Sequence, residues 1–135
     1  MRHPLHDFAE RYTAAWCSQD PARVAAFFAP QGVLTINGGT PHVGREAITA
    51  SAASFMTAFP DLVVSLLALE EHDGRVLYRW RLTGTNSGPG GTGRAVCIDG
   101  SEAWHLDGHG AIADSIGSFD ESEYRRQLTG QHHGE

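Results

Sequence analysis

The sequence contains no lysine, so its ten positively charged side chains are all arginine. Sixteen aspartate and glutamate residues outnumber them, which gives the chain of 135 residues a formal net charge of −6. A chain with this balance is repelled by phosphate backbones and by anionic lipid. We therefore expect neither nucleic acid nor a membrane to be its main partner.

Cysteine is also scarce, with only Cys17 and Cys97 present. Their spacing indicates neither a disulfide framework nor a metal site, and it favours a reducing cytoplasmic location. Neither has a recognisable base alongside it, so a nucleophilic role is not favoured. The eight histidines lack the HxH and HExxH spacings of metal sites, and we expect no metal and no cofactor.

Long apolar runs are missing as well. No stretch approaches the ~20 residues that cross a bilayer, and the first residues lack the apolar core of a secretory signal. The hydrophobic fraction of 41% and the charged fraction of 19% are ordinary for a soluble globular protein. The length predicts one domain over residues 1–135, whose core needs no disulfide or metal.

The first part of the chain has a helical pattern. Apolar residues three and four apart predict a helix from Pro4 to Ser18, a short helix begun by Asp20-Pro21, and a third from Arg45 to Phe59. A strand from Gly32 to Asn37 lies between the second and third. Ser51 lies among apolar residues of the third helix, where it leaves space either for close packing on a sheet, which is slightly favoured, or for a ligand.

The rest of the chain predicts antiparallel strands. Leu62 to Glu71 is apolar on both faces, which indicates a strand covered on both sides. Few elements remain to cover the second side, so we expect a homodimer. His72-Asp73-Gly74 forms a hairpin with the strand that begins at Arg75. The glycine-rich segment from Ser87 to Gly93 is interpreted as a hairpin loop rather than as a lid over a substrate.

The last strand is expected from Ile112 to Phe119. The segment ESEYRRQL then predicts a short helix, and residues 129–135 a frayed tail.

The strand from Arg94 to Leu106 contains the best clue to function. Alternation places Glu102 on a face otherwise occupied by valine, isoleucine, tryptophan and leucine. An ionised carboxylate on an apolar face is expensive, so Glu102 must be paired, protonated or placed at a wet cavity. Gly100 could mark a bulge, and a bulge would exchange the faces of Glu102 and His105.

Two aromatic residues, Tyr12 and Trp16, lie one turn apart on the buried side of the first helix. Core packing is the more common outcome for such residues. The alternative is that the Tyr12 hydroxyl points into a cavity, because a buried phenol needs a hydrogen-bond partner.

Three helices with one strand among them, followed by long antiparallel strands, indicate an α+β fold with helices on one face of a curved sheet. This order resembles the nuclear-transport-factor-2-like superfamily and, within it, the polyketide cyclase (SnoaL-like) group. The resemblance covers nearly the whole chain and rests on the segments QDPARVAAFFAPQGVLTINGG, VGREAI, AFPDLVVSLLAL, DGRVLYRWRLTGTNSG and DESEYRRQLTG. It implies a cone-like fold in which three N-terminal helices pack on a curved, mostly antiparallel mixed sheet that encloses a pocket.

The resemblance also implies catalytic roles for Tyr12 and Glu102. Tyr12 matches the tyrosine that donates to the oxyanion in ketosteroid isomerases, and Glu102 falls close to their protonated aspartate, a carboxylic acid held neutral. The general base of those isomerases has no counterpart, because Ile36-Asn37 stand in its place. In the cyclases a histidine near the position of Glu102 works with an aspartate on the last strand. Gly117 stands at the place of that aspartate.

Other acidic and basic residues lie near these positions without matching them. Asp114 and Asp120 are close in sequence to the missing aspartate. An epoxide hydrolase of this fold would need an Asp-Arg-Asp arrangement, and Arg79 and Arg81 alternate towards the face opposite Trp80.

The sequence therefore predicts a cofactor-independent acid–base enzyme that acts on a hydrophobic, oxygenated small molecule. A cyclase or isomerase of the secondary-metabolite type is favoured, and epoxide opening is the next alternative. The fold also hosts non-enzymes, and the missing base favours the alternative of a non-catalytic ligand binder or dimerising accessory protein. Ser51 would orient a polar group of the ligand. The walls of the pocket would be aromatic and formed by Trp16, Phe55, Trp80, Trp104 and Phe119.

Overall fold

The computed structural model describes residues 4–130, and within that range the chain forms four helices and six strands. The helices are α1 (Pro4–Trp16), α2 (Pro21–Ala25), α3 (Arg45–Ala58) and α4 (Glu121–Thr129). The strands are β1 (Phe28–Ile36), β2 (His42–Val43), β3 (Val63–His72), β4 (Arg75–Thr85), β5 (Ala95–Leu106) and β6 (Ile112–Phe119). Of the predicted tail, residues 131–135 lie outside the described range.

All six strands belong to one curved, mixed sheet in the order β2-β1-β6-β5-β4-β3. Strands β1 and β6 are parallel, and every other neighbouring pair is antiparallel. The α+β class and the mostly antiparallel mixed sheet are confirmed. The prediction of three N-terminal helices holds only in part, because a second strand, β2, also precedes α3, and a fourth helix, α4, follows the last strand.

The helices begin where the local chemistry predicted. Asp20 accepts a hydrogen bond from the backbone N–H of Ala22, and Pro21 occupies the first turn of α2. In α1 the buried residues recur at three- and four-residue spacing, so one side of the helix faces the sheet. The predicted ends of α1 and α3 lie within two residues of the observed ones.

A two-residue turn joins β3 to β4. Asp73 and Gly74 both have positive φ, 50° and 77°, which is typical of the hairpin turn that matches strand twist. His72 therefore pairs with Arg75, and the predicted hairpin is confirmed. The register of β3 shifts between Leu66 and Ala68, which leaves the side chain of Leu67 44% exposed.

The glycine-rich loop between β4 and β5 is held against the end of α3. The Asn86 amide donates to the carbonyl of Ala58 and accepts from the backbone N–H of Thr92. A Cβ at Gly88 would lie 1.9 Å from the Thr57 carbonyl oxygen, so this position fits only glycine. These contacts fit a packed hairpin loop better than a lid.

Strand β5 has no bulge at Gly100. Its register with β4 is continuous from Val76 opposite Trp104 to Thr85 opposite Ala95. The Trp80 indole packs over Gly100, where an added Cβ would lie 2.3 Å from its ring. Glycine therefore makes room for the indole instead of kinking the strand, and Glu102 stays on the buried face.

The two faces of the sheet differ in character. The inner face packs against helices, and the largest fully buried side chains between them include Tyr12 of α1, Tyr78 of β4 and Trp104 of β5. The outer face carries cross-strand ion pairs, among them Arg75–Asp114 and Arg81–Asp99. No helix in the described part of the chain is long and apolar enough to cross a membrane.

Candidate functional site

A cavity lies on the inner face of the sheet, beside helices α1 and α3. Its volume is about 60 Å³, small against the roughly 300 Å³ or more of typical ligand sites. It therefore accepts a small molecule or one ring of a larger one. Aliphatic and aromatic side chains form most of the wall, and the aromatic ones are Trp16, Phe55, Tyr78, Trp80 and Phe119.

Of the residues that the structure describes, Glu102 is the single one with a carboxyl group in the lining of this cavity. Three side chains from three different elements donate to it. The Tyr12 hydroxyl of α1 lies 3.0 Å from Oε1 and 3.1 Å from Oε2. Trp104 Nε1 donates to Oε1 at 3.0 Å, and Ser115 Oγ of β6 donates to Oε1 at 2.8 Å.

The two oxygens of Glu102 have different surroundings. Oε1 accepts from all three donors, whereas Oε2 has only the longer contact with Tyr12. A carboxyl oxygen offers two lone pairs, so Oε1 has no capacity left. Oε2 is consequently the oxygen that can carry the proton or meet a ligand.

Burial raises the pKa of Glu102, and the hydrogen bonds from Trp104, Ser115 and Tyr12 oppose that rise without cancelling it. No arginine or histidine of residues 4–130 lines the cavity, so no positive charge offsets the burial. Burial likewise raises the pKa of Tyr12 and of Tyr78, with the Glu102 charge acting in the same direction. Both phenols therefore stay protonated near neutral pH.

The raised pKa of Glu102 has a consequence for stability. A carboxyl group whose pKa is higher in the folded state contributes its full stability below the ordinary value of 4.5 and loses it as the pH rises through the folded value. The unfolding free energy of the wild type minus that of Glu102→Gln should therefore fall as the pH rises from 4.5 to the folded-state pKa. The fall is at most about 1.4 kcal/mol per pH unit. Urea denaturation of both proteins between pH 4.5 and 8 measures the difference, and a difference that grows with pH would contradict it.

Most of the predicted site residues line the cavity, and the others lie outside its lining. Trp16, Phe55, Trp80 and Phe119 line the cavity. Tyr12 is fully buried beneath Glu102 and outside the lining, so its single O–H serves the carboxyl group and not a ligand.

Two residues that were expected at the cavity, the wall residue Trp104 and the polar residue Ser51, lie outside its lining. Trp104 is 0% exposed and contacts Glu102 through its indole N–H. Ser51 is buried in α3 outside the lining, which agrees with the packing interpretation of that residue.

Ser115 is the residue that sequence reasoning missed. It is fully buried and directly opposite Trp104 in the register of β5 and β6. A hydroxyl with no exposure needs a partner, and Glu102 provides it. The sequence does show that Ser115 shares a face of small residues on β6 with Gly117, and this was the one feature that could have indicated its role.

The other acid–base candidates lie elsewhere. Asp114 pairs with Arg75 at 2.8 Å, and Asp120 caps α4. Arg79 and Arg81 pair with Glu70 and Asp99 away from the cavity. In the described range no three His, Cys, Asp or Glu side chains come together as metal ligands would. Glu102 is therefore the one group of the described residues at the cavity that is suited to proton transfer near neutral pH.

Gly117 is a position from which a larger side chain would fill the cavity. A Cβ added there meets nothing closer than 3.6 Å, and the position lines the cavity beside Glu102. We expect Gly117→Val to abolish ligand uptake while changing the unfolding free energy by less than about 1.5 kcal/mol. Ligand-detected NMR and urea denaturation check both parts, and normal uptake would place the ligand elsewhere.

A family model identifies the family, and solved structures show the fold. Residues 9–115 match the SnoaL-like domain. No curated protein matches the sequence.

Several solved structures share the fold at low identity. A protein with a ketosteroid isomerase-like fold from Catenulispora acidiphila, solved with trimethylamine, has a TM-score of 0.79 at 17% identity and covers 95% of each chain. A SnoaL-like protein from Jannaschia sp., suggested to be a polyketide cyclase, has a TM-score of 0.76 at 18% identity over 98% of this chain and 99% of that chain. A phenazine biosynthesis-related protein from Pseudomonas aeruginosa has a TM-score of 0.72 at 15% identity over 98% and 89%.

Proposed function

The chain belongs to the SnoaL-like domain family, and from that premise we propose that it is a cofactor-independent enzyme acting on a hydrophobic, oxygenated small molecule by acid–base chemistry. The observation that carries the proposal is the carboxyl group of Glu102 in an otherwise apolar cavity. A carboxyl group whose pKa is raised by burial is suited to work near neutral pH.

In its neutral form Glu102 donates through Oε2 to a carbonyl or epoxide oxygen of the ligand. The donors on Oε1 keep the carboxyl group oriented and stabilise the carboxylate if the proton is transferred. A donor of this kind contributes on the order of a hundredfold in rate, because it stabilises charge that develops on the oxygen.

Cyclisation or isomerisation is the reaction class we favour, since both develop negative charge on a carbonyl oxygen. The description of the Jannaschia protein as a polyketide cyclase and the link of the P. aeruginosa protein to phenazine biosynthesis support a place in secondary metabolism. Epoxide opening is the second choice, because Arg79 and Arg81 point away from the cavity. The narrow cavity favours a ligand that inserts a single ring.

Proton exchange at carbon tests the proposal without knowledge of the substrate. Small cyclic ketones such as cyclohexanone are incubated with the protein in D₂O, and loss of the protons next to the carbonyl is followed by ¹H NMR. In this exchange Glu102 donates to the ketone oxygen while water or a buffer base removes the neighbouring proton, and deuterium from the solvent replaces that proton. We expect exchange faster than in buffer alone for the wild type and for the control Glu70→Gln, which alters an exposed carboxylate outside the cavity. Exchange at the buffer rate with the wild type would contradict an acid–base enzyme of this type.

A second candidate function is non-catalytic binding of a small apolar ligand. It is favoured by the lack of a second carboxyl or imidazole group among the described residues that line the cavity. A binder takes up cyclohexanone without exchanging its protons, so the same NMR samples separate the two candidates.

We also propose that two copies associate through the outer face of the sheet. Leu77, Ala103 and Ile116 form an apolar row across three neighbouring strands, and Ile116 is 47% exposed. Burying such a row against a second copy removes apolar surface from water. We expect a dimer in sedimentation velocity at tens of micromolar and a monomer for Ile116→Arg. A wild-type protein that sediments as a monomer at this concentration would contradict the proposed dimer.

A further inference from the structure

The hydrogen bonds around Glu102 are arranged for a negative charge. Three donors from three elements converge on Oε1. The indole N–H of Trp104 can only donate, so it cannot adapt to a proton on that oxygen. Hydrogen bonds to an ionised acceptor are about twice as strong as neutral ones. The arrangement therefore stabilises the carboxylate more than the carboxylic acid.

No positive charge of the described residues balances that carboxylate. Arg75, Arg79 and Arg81 pair with acidic residues away from the cavity. Among residues 4–130, neither arginine nor histidine lines the cavity. Burying an unpaired charge is costly, so the three donors alone do not hold Glu102 ionised. The missing positive charge has to come from a proton or from a bound molecule.

The walls of the cavity are suited to a bound cation. Five aromatic side chains line it, and they include two edge-to-face pairs, Trp16 with Phe55 and Trp80 with Phe119, each with ring centroids 6.2 Å apart. The faces of aromatic rings attract organic cations, and cages of such rings bind quaternary ammonium groups. Aromatic walls and one carboxylate in a small volume are the two features that recognise such a group.

We propose that the cavity binds a small organic cation, of the quaternary or protonated amine class, against the carboxylate of Glu102. This goes beyond the proposed function, which uses the neutral acid and a ligand oxygen. The two states of Glu102 thus select different ligands in one cavity: the acid takes a neutral hydrogen-bond acceptor, and the carboxylate takes a cation. Binding of the cation does not depend on catalysis.

The two ligand classes differ in the sign of their pH dependence. A permanently charged cation needs the carboxylate, so its affinity rises with pH through the pKa of Glu102. A neutral acceptor needs the acid, so its affinity falls over the same range. The titratable groups that face Glu102 are Tyr12 from α1 and Tyr78 from β4, and burial raises the pKa of both. Since neither phenol ionises between pH 5 and 8, the dependence belongs to Glu102.

Choline and 3,3-dimethyl-1-butanol test the proposal, because they share one shape and differ in charge. Dissociation constants are measured by ligand-detected NMR at pH 5 and pH 8. We expect choline to bind about tenfold or more tighter than the alcohol at pH 8, and the preference to shrink at pH 5. Glu102→Gln should lose the preference, and the control Glu70→Gln should keep it.

Two results would overturn the proposal. One is choline binding no tighter than the alcohol at pH 8. The other is a preference for choline that survives in a folded Glu102→Gln protein. Because the pH series uses the wild type alone, the first result is interpretable even if the variant fails to fold. If either of these results is obtained while the protein still exchanges the ketone protons, the cation site is contradicted and the proposed enzyme function is not. A choline preference without exchange supports the cation site and contradicts the enzyme function.

Discussion

Replacement of Glu102 by alanine is expected to lower the rate of ketone proton exchange by about a hundredfold or more. Alanine removes the hydrogen-bond donor at Oε2 and leaves three buried donors without an acceptor. Glutamine keeps the shape of the side chain, keeps an acceptor for those three donors and offers an amide N–H in the place of Oε2. Glu102→Gln should therefore retain much of the activity, if its role is to donate.

The comparison of the two variants decides how Glu102 works. Rates are measured across pH 5–8 on samples whose folding is verified by circular dichroism, with Glu70→Gln and Glu70→Ala as controls on an exposed carboxylate. If Glu102→Gln is as inactive as Glu102→Ala, the carboxylate itself is needed and Glu102 is a general base. That outcome would contradict a hydrogen-bond donor held neutral.

Replacement of Trp104 by alanine is expected to lower the unfolding free energy by about 3–5 kcal/mol. The side chain is fully buried, and its ring stacks on Tyr78 with centroids 4.8 Å apart. Alanine leaves a large void in the core and removes a donor to Glu102. Urea denaturation measures the loss, and Trp80→Ala is the matched control, because Trp80 is only partly buried at the cavity. Equal losses for the two variants would contradict the central position of Trp104.

Trp104→Phe separates packing from hydrogen bonding. Phenylalanine retains an aromatic ring against Tyr78 but has no N–H for Oε1. Because that hydrogen bond lowers the pKa of Glu102, its loss should raise the pKa further. An unchanged pKa in the variant would contradict a contribution of the indole N–H to the stability of the Glu102 carboxylate.

Much of the fold follows from local patterns in the sequence. Helix spacing, the Asp20-Pro21 start and the two-residue turn at Asp73-Gly74 act over a few residues, and the structure confirms each. Alternation along β5 correctly predicted the buried face of Glu102, because no bulge interrupts its pairing with β4. The fourth helix also begins where ESEYRRQL predicted.

The detail of the site depends on contacts between distant parts of the chain. Tyr12 and Glu102 are 90 residues apart, and the sequence placed them close together only through the family resemblance. The role of Trp104 depends on the direction of its indole, which alternation does not specify. Ser115 meets Glu102 only because the register of β6 against β5 places it opposite Trp104. A single sequence does not determine that register, so the third donor could not be predicted.

A ¹³C NMR titration of the glutamate carboxyl carbons tests the central claim most directly. One resonance, assigned by its loss in Glu102→Gln, should titrate clearly above the ordinary glutamate pKa of 4.5. The pKa of Glu102 should be higher still in Ser115→Ala, because the hydrogen bond that Ser115 donates to Oε1 lowers this pKa in the wild type. A Glu102 resonance that titrates at or below the ordinary value would show that the carboxyl group is ionised in the empty cavity, and would contradict this account of the site.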